Sequence, residues 1–162
     1  MSQIELGRAA DSVSETAPEG FSVEMAAGTP VLTLDGALPA EHLLPGDRIV
    51  TRSGASVLSG IRTEPCGGDI LLRICAGVLG HDRPEDDLIV PPDQPIFIRD
   101  WRARALFGAD RVAVPAARLV DGHHVRRERI TDVRMVRLSF AQPVVVYAAG
   151  LELVAAAARV RA

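Results

Sequence analysis

The chain contains neither lysine nor asparagine, so all 18 of its basic residues are arginine. Aromatic residues make up only 4% of its 162 residues, and no apolar run approaches the length of a transmembrane helix. These absences exclude any reaction of an Asn side chain and leave the core to Val, Leu, Ile and Ala, with few aromatic anchors such as Phe97, Trp101 and Phe107. The net charge of −3 argues against nucleic acid as a partner. The densest basic cluster, Arg126–Arg129, is interpreted as a solvated strand edge.

The cysteines and histidines of the sequence do not indicate a metal site or a disulfide. The two cysteines, Cys66 and Cys75, form no CxxC pair, and the four histidines follow no ligand spacing. We therefore expect no metal and no other cofactor. The start of the chain has no basic segment followed by an apolar stretch, which favours a cytoplasmic protein without a signal peptide.

What the sequence does contain is enough apolar material, 48%, to build one core in a chain of this length. Residues 1–20 are rich in Ser, Glu, Ala and Gly and predict a flexible leader. After it come short apolar runs, many of them β-branched, bounded by Gly, Pro or Asp, and this pattern predicts an all-β domain. The runs are Thr29–Leu34, Arg48–Arg52, Val57–Thr63, Ile70–Ala76, Leu88–Val90, Ile96–Ile98, Arg111–Val114, Asp132–Phe140 and Val144–Ala148.

Turns and helices are predicted at only a few places. Asp35–Gly36 lies between two apolar stretches and predicts a hairpin turn. Short helices are expected at Ala40–Leu44 and Ala116–Leu119, each of which follows a proline. The Ala-rich C-terminal segment from Leu151, including the tail at 153–162, is also expected to be helical.

Several motifs, in a fixed order, carry a resemblance to a known family. G-T-P-V with a D-G turn lies at Gly28–Gly36, L-P-G-D-R-I at Leu44–Ile49, L-V-D-G at Leu119–Gly122 and A-A-G-L at Ala148–Leu151. Together they resemble the Hedgehog/intein (Hint) domain family in its bacterial branch, where the last motif reads A-N-G-L. The resemblance covers residues 21–152. It implies a compact all-β horseshoe or disk of short strands, with one or two short helices.

The family's chemistry sets out which residues an active domain needs. Active members convert a peptide bond to a thioester or ester, so their first residue is Cys, Ser or Thr. A Thr-x-x-His motif near the middle of the domain supports this step, because the His protonates the departing amide nitrogen. Full splicing further needs an Asn at the end of the domain.

The resemblance places other residues at these positions. The nucleophile stands four residues before the Gly of G-T, which is Glu24 here, and a carboxylate cannot form a thioester. The Thr and His positions fall on Pro91 and Gln94, and Gln94 cannot exchange a proton near neutral pH. Cyclisation of Asn is excluded because the chain has no Asn. The positions Glu24, Pro91 and Gln94 thus predict a degenerate site, no self-cleavage, and a role as a binding or structural module.

Two alternatives remain open. One is a self-processing (autoproteolytic, protein-splicing-type) domain with an unrecognised nucleophile, for which Ser22, Thr29 and Cys75 are candidates with commoner structural roles. The other is a β-barrel enzyme that pairs the carboxylates of Glu24 and Asp93. The partner of a non-cleaving module is unknown. Its cleft could hold an extended peptide or protein segment against a sheet edge, and we expect neither nucleic acid nor a membrane.

Two further clusters of polar residues follow turns. His123–His124 could suggest a metal or acid–base site, but histidines beside a turn are commonly solvated. The acidic loop Asp82–Asp87 lacks the regular alternation of a calcium loop. We interpret both clusters as exposed segments without a ligand.

Overall fold

The computed structural model describes residues 20–77, 86–99 and 101–157, and strands dominate these ranges. The predicted all-β class is confirmed. The helical segments there are α1 (Trp101–Phe107) and two 3-10 helices, Ala40–His42 and Ala116–Leu119. The strands are β1 (Phe21–Ala26), β2 (Pro30–Thr33), β3 (Gly36–Pro39), β4 (Arg48–Thr51), β5 (Gly54–Val57), β6 (Gly60–Pro65), β7 (Asp69–Ile74), β8 (Leu88–Val90), β9 (Pro95–Ile98), β10 (Val112–Pro115), β11 (Val125–Ile130), β12 (Arg134–Phe140), β13 (Val145–Ala148), β14 (Leu151–Val154) and β15 (Ala156–Ala157).

The strands form three antiparallel sheets. A four-stranded sheet has the order β15-β1-β12-β6, and a three-stranded sheet has the order β11-β7-β8. An eight-stranded sheet runs β10-β9-β14-β13-β2-β4-β5, with β3 paired to β2. The predicted turn at Asp35–Gly36 is confirmed, since it joins β2 to β3 with Thr33 opposite Gly36.

Alternation along the strands explains why the sheets pack. In β12, Val136, Leu138 and Phe140 are buried, and the residues between them are half-buried. In β1, Val23 and Met25 point the same way and are completely buried. Because side chains alternate between the two faces of a strand, each of these strands presents one apolar face to the core.

One large core joins the three sheets. It contains Val23 from the four-stranded sheet, Ile49 from the eight-stranded sheet and Leu72 from the three-stranded sheet, all completely buried. Phe140 is the one aromatic residue among its buried members. The expectation of an aliphatic core is therefore confirmed for the described residues. The expected aromatic anchors are not in its buried part: Trp101 is 67% exposed, which makes that prediction wrong, and Phe97 and Phe107 are only half-buried.

The prediction of a helical C-terminal segment is wrong where the structure describes it. Residues Leu151–Val154 form β14 and Ala156–Ala157 form β15, and only 158–162 lie outside the described ranges. Leu151 and Leu153 are buried because β14 pairs with β13 and β9, and these contacts override the helix propensity of the alanines.

Two further points concern the predicted leader and a helix that the sequence did not predict. The predicted leader, residues 1–20, lies outside the described ranges apart from Gly20. The helix α1 was not predicted from the sequence. None of the helices that the structure describes is long and apolar enough to cross a membrane.

Candidate functional site

The site lies where the middle of β1 meets the turn before β9. Glu24 is the fourth residue of β1 and stands opposite Arg137 of β12. The turn before β9 is closed by the Gln94 N–H, which donates to the Pro91 carbonyl at 3.1 Å. Three positions that the motif count singled out, Glu24, Pro91 and Gln94, thus belong to two neighbouring segments.

A direct hydrogen bond brings Glu24 and Gln94 together. The Glu24 backbone N–H donates to Gln94 Oε1 at 2.8 Å. At its other end the Gln94 amide donates from Nε2 to the carbonyls of Val154, at 3.0 Å, and Pro95, at 2.9 Å. Gln94 is only 4% exposed, so its buried amide is satisfied at both ends. It links β1 to β14 through the start of β9.

The Glu24 side chain is held by its cross-strand neighbour. Arg137 Nη2 donates to Glu24 Oε2 at 3.3 Å, and the two side chains are 28% and 16% exposed, respectively. Opposite charges that face each other on neighbouring strands favour this pairing. The carboxylate is therefore part of an ion pair at the position that the motif count predicts for the nucleophile.

Pro91 contributes to the turn through its backbone, and its side chain has no hydroxyl. It is buried, and its carbonyl closes the turn. The second 3-10 helix braces the same turn, since Ala116 N–H donates to the Gln94 carbonyl and Ala117 N–H to the Pro92 carbonyl, both at 2.9 Å. The turn from Pro91 to Gln94, where the motif count places the Thr-x-x-His motif, is thus held by backbone hydrogen bonds.

A small cavity of about 40 Å³ opens beside Glu24. Its volume suits one or two water-sized groups. Glu24 and Asp93 both line it, so the structure brings together the carboxylates of the enzyme hypothesis. The lining residues are Ser22, Glu24, Asp93, Gln94, Pro95, Arg137, Ala156 and Ala157.

The three alternative nucleophiles have different surroundings. Ser22 lines the cavity with Glu24. The Thr29 hydroxyl is buried and donates to the Ala26 carbonyl at 2.7 Å. Cys75 follows β7, at the end of another sheet, and its Sγ accepts a bond from Arg126 at 3.4 Å. Of the three, the structure places only Ser22 at the site.

Of the two polar clusters noted in the sequence, the structure describes His123–His124 fully and the acidic loop only in part. Asp121 Oδ1 accepts bonds from the N–H groups of Val125 at 3.0 Å, His123 at 2.8 Å and His124 at 2.8 Å. These bonds lower the pKa of Asp121 to about 2. Both imidazoles are exposed. Among the described residues, no three His, Cys, Asp or Glu side chains come together as a metal site. The acidic loop Asp82–Asp87 lies outside those residues except for its last two aspartates.

Sequence reasoning missed one buried carboxylate. Glu152 in β14 is 2% exposed, and it accepts bonds from Arg52 Nη1 and Arg99 Nε, both at 2.9 Å. The available signal was an acidic residue between two leucines in an apolar segment, Leu151–Val154, that had been predicted to be helical. Glu152 therefore connects β14 to the ends of β4 and β9.

Comparisons with known proteins agree with this fold. The gp41-1 intein structure has a TM-score of 0.51 at 10% identity, over 82% of this chain and 97% of that one. The MchDnaB-1 intein (N145AA) has a TM-score of 0.51 at 14% identity, over 83% and 99%. At these identities the likeness shows the fold alone. A search of curated proteins finds no similar sequence.

The family itself is established by sequence. The family model described as the Hint domain matches residues 24–155. This chain therefore belongs to the Hint domain family. The match begins at Glu24, the residue that the motif count placed at the position of the nucleophile.

Proposed function

We propose that this Hint domain does not cleave its own chain and acts as a binding or structural module. The observation that carries the proposal is Glu24 at the nucleophile position, where its carboxylate pairs with Arg137. Thioester or ester formation at this position needs a thiol or a hydroxyl, and Glu24 has neither.

The proton that cleavage requires also has no donor at the matched position. Breaking the Val23–Glu24 bond leaves a proton to be delivered to the Glu24 nitrogen. Gln94 presents Oε1, a hydrogen-bond acceptor, to the N–H on that nitrogen. A neutral amide has no proton to transfer near pH 7, so Gln94 supports the strand and not the leaving group.

The chain before Glu24 is also built into the fold. Phe21, Ser22 and Val23 pair with residues of β12, and Val23 is completely buried. A segment that cleavage would release therefore contributes to the core. This supports a domain that retains the chain on both sides of the junction.

Intact mass spectrometry of the protein with an N-terminal fusion tests the proposal. Hydroxylamine also cleaves Asn–Gly bonds. This chain has none, because it contains no Asn, and the fusion partner should be chosen without them as well. After incubation with dithiothreitol or hydroxylamine we expect one unchanged mass. A thiol-dependent break at Val23–Glu24 would overturn the proposal. The matched control carries Glu24→Cys, Pro91→Thr and Gln94→His, and a break in it alone would assign the loss of cleavage to these positions.

One observation keeps self-processing as the second candidate. Ser22 lines the cavity that Glu24 and Gln94 also line, so a hydroxyl is present at the site. Attack by Ser22 would convert the Phe21–Ser22 bond to an ester. The same mass measurement separates the two candidates, because hydroxylamine would then cut between Phe21 and Ser22, two residues before the Val23–Glu24 bond, and Ser22→Ala would abolish that product.

A further inference from the structure

The part of the eight-stranded sheet built from β2, β3, β4 and β5 is apolar on both of its faces. Its inner face is buried, at Val31, Thr33, Ile49 and Thr51. Because side chains alternate along a strand, the residues between these point away from the core. Antiparallel sheets with one solvated face commonly place polar residues there, but here Arg48 is the one charged residue. We call this set of residues the outer face: Leu32, Leu34, Ala37, Arg48, Val50, Ala55 and Val57.

The strand register places the residues of the outer face side by side in two rows. Thr33 of β2 pairs with Ile49 of β4. The next residue, Leu34, continues this ladder, since its N–H donates to the Arg48 carbonyl at 3.1 Å. Arg48 in turn stands opposite Val57 of β5. One row therefore crosses three strands as Leu34, Arg48 and Val57.

The second row lies beside the first and has no charged residue. Leu32 stands opposite Ala37 of β3, and Val50 stands opposite Ala55 of β5. The β2–β4 register also makes Leu32 the neighbour of Val50. Cross-strand neighbours on one face have Cβ atoms about 4.5–5.5 Å apart. The two rows thus form one contiguous surface across four strands.

Within the part of the chain that the structure describes, nothing covers the outer face. Leu32 is 38% exposed, and Leu34 and Val57 are each 57% exposed. No residue of the outer face belongs to the half-buried apolar side chains that pack on the core. The corresponding face of the four-stranded sheet is polar, with Ser22 on β1 and Arg137 on β12. A contiguous exposed apolar patch is typical of a protein interaction site.

Two charged residues at the outer face indicate what covers it. Arg48 lies between Leu34 and Val57, and Asp35 follows Leu34 at the exposed tip of the β2–β3 hairpin. Neither the Arg48 guanidinium nor the Asp35 carboxylate has an ion-pair partner among the described residues. One apolar patch thus carries an unpaired cation and, at its rim, an unpaired anion. Such a surface is complementary in charge to a second copy of itself.

We propose that the outer face binds the outer face of a second copy of this chain in a two-fold symmetric dimer. An axis along the strands, between β2 and β4, would lay β2 of each copy over β4 of the other at the spacing of packed sheets, about 10 Å. Asp35 of each copy would then reach Arg48 of the other, and both apolar rows would leave water. This inference goes beyond the proposed function and does not depend on the absence of cleavage.

Sedimentation velocity of the full-length chain tests the dimer. The outer face is small beside the roughly 800 Å² that each partner buries in a standard interface, so we expect a dissociation constant on the order of 10 µM. Measurements between about 1 and 300 µM bracket this constant. The sedimenting species should change from one chain to two across this range.

A pair of matched variants locates the interface. Leu32→Asp would bury an unpaired carboxylate between the two copies and should weaken association by about tenfold or more. Ile70→Asp is the control, because Ile70 of β7 is 40% exposed, close to the 38% of Leu32, but lies in another sheet. It should leave association unchanged. Far-UV circular dichroism checks that each variant is folded.

Exchanging the two charges tests the symmetry. Asp35→Arg and Arg48→Asp each place like charges together in a dimer with themselves, so each variant alone should associate about tenfold more weakly or worse. An equimolar mixture of the two variants restores an Asp–Arg pair at both contacts and should form a dimer as the wild type does. A purely structural role of either residue would not produce this rescue.

Three results would overturn the proposal. A wild-type chain that stays monomeric over the whole range would do so in favour of a different protein as the occupant of the outer face. Equal effects of Leu32→Asp and Ile70→Asp would place self-association elsewhere, and a mixture of the charge variants that stays monomeric would exclude the two-fold contact. Cleavage is measured by mass and association by sedimentation, so failure of one proposal is distinguishable from failure of the other.

Discussion

Gln94 makes a buried structural contact between β1 and β14 with a side-chain amide that has no titratable proton near pH 7. Its amide accepts from the Glu24 N–H at one end and donates to the Val154 carbonyl at the other. A neutral amide keeps both bonds at any pH, whereas an imidazole at the same position would change its charge near pH 6.5. The connection between β1 and β14 is therefore independent of pH at this residue.

The turn between β13 and β14 contains a strained alanine. Ala149 has a φ of 51° and Gly150 a φ of 85°, as a two-residue hairpin loop with both angles positive requires. The left-handed conformation costs Ala about 1–2 kcal/mol. Gly avoids this strain, but its greater conformational freedom in the unfolded chain offsets about 0.5–1 kcal/mol of the gain. We expect Ala149→Gly to raise the free energy of unfolding in urea by about 0.5–1 kcal/mol. Ala155→Gly, at a buried position with negative φ, should lower it; a loss in both variants would contradict the strain.

Asp121 should make stability depend on pH in the acid range. Hydrogen bonds from Val125, His123 and His124 lower its pKa in the folded state to about 2 from 3.8. A carboxyl with a lowered pKa adds stability above its unfolded pKa, and this contribution disappears as the pH falls through the folded pKa. We expect Asp121→Asn to be less stable than the wild type at pH 6, with the difference shrinking between about pH 4 and pH 2. Urea unfolding at several pH values measures this, and a constant difference would contradict it.

At the residue scale, the motif spacing singled out two positions that the structure joins by a hydrogen bond, whereas the roles of Glu152 and Ala149 could not be predicted. Counting from the motifs led to Glu24 and Gln94 because the family's spacing is read directly from residue numbers. Glu152 could not be found in this way, since its two arginine partners lie 53 and 100 residues away. The strain at Ala149 depends on a backbone angle, and an Ala-Gly pair does not reveal that angle.

At the scale of elements, Glu152 joins β14 to the chain that follows β4 and β9. Removing one member of a buried charge pair costs about 3–5 kcal/mol, and less where the partners reach solvent. Arg52 and Arg99 are 29% and 45% exposed, so we expect Glu152→Gln to cost about 2–3 kcal/mol in thermal or urea unfolding. Glu128→Gln is the control, because Glu128 pairs with two arginines on a more open strand and should cost about 1 kcal/mol or less. Equal losses would contradict a special role for Glu152.

Strand prediction succeeded where apolar runs were continuous. The runs at Arg48–Arg52 and Leu88–Val90 correspond to β4 and β8. The run Val57–Thr63 is divided between β5 and β6, because Leu58 turns into the core between them. β11 was not among the predicted apolar runs, but Arg126–Arg129, interpreted from the sequence as a strand edge, lies in it at the edge of its sheet. Its charged residues are supported by pairing with β7 and not by an apolar pattern.

At the scale of the whole molecule, the limits of the fold do not coincide with the limits of the family match. The match begins at Glu24, but β1 begins three residues earlier, at Phe21. Val23 is completely buried, which is worth about 1.5–3 kcal/mol for a side chain of this kind. We expect a protein that starts at Glu24 to be less stable by about 3 kcal/mol or more than one that starts at Gly20. Thermal unfolding of both proteins measures this, and equal midpoints would show that the upstream residues are dispensable.

The pairing of β1 with β15 places Phe21 opposite Ala157. The first and the last described strands therefore run side by side, which brings the two ends of the described chain together. The domain has the geometry of a closed loop, which a host protein could carry as an insertion within a surface turn without separating the two ends of that turn. By the same geometry, a short linker between these ends would permit a circular permutation with new termini at an exposed turn such as Ser53–Gly54.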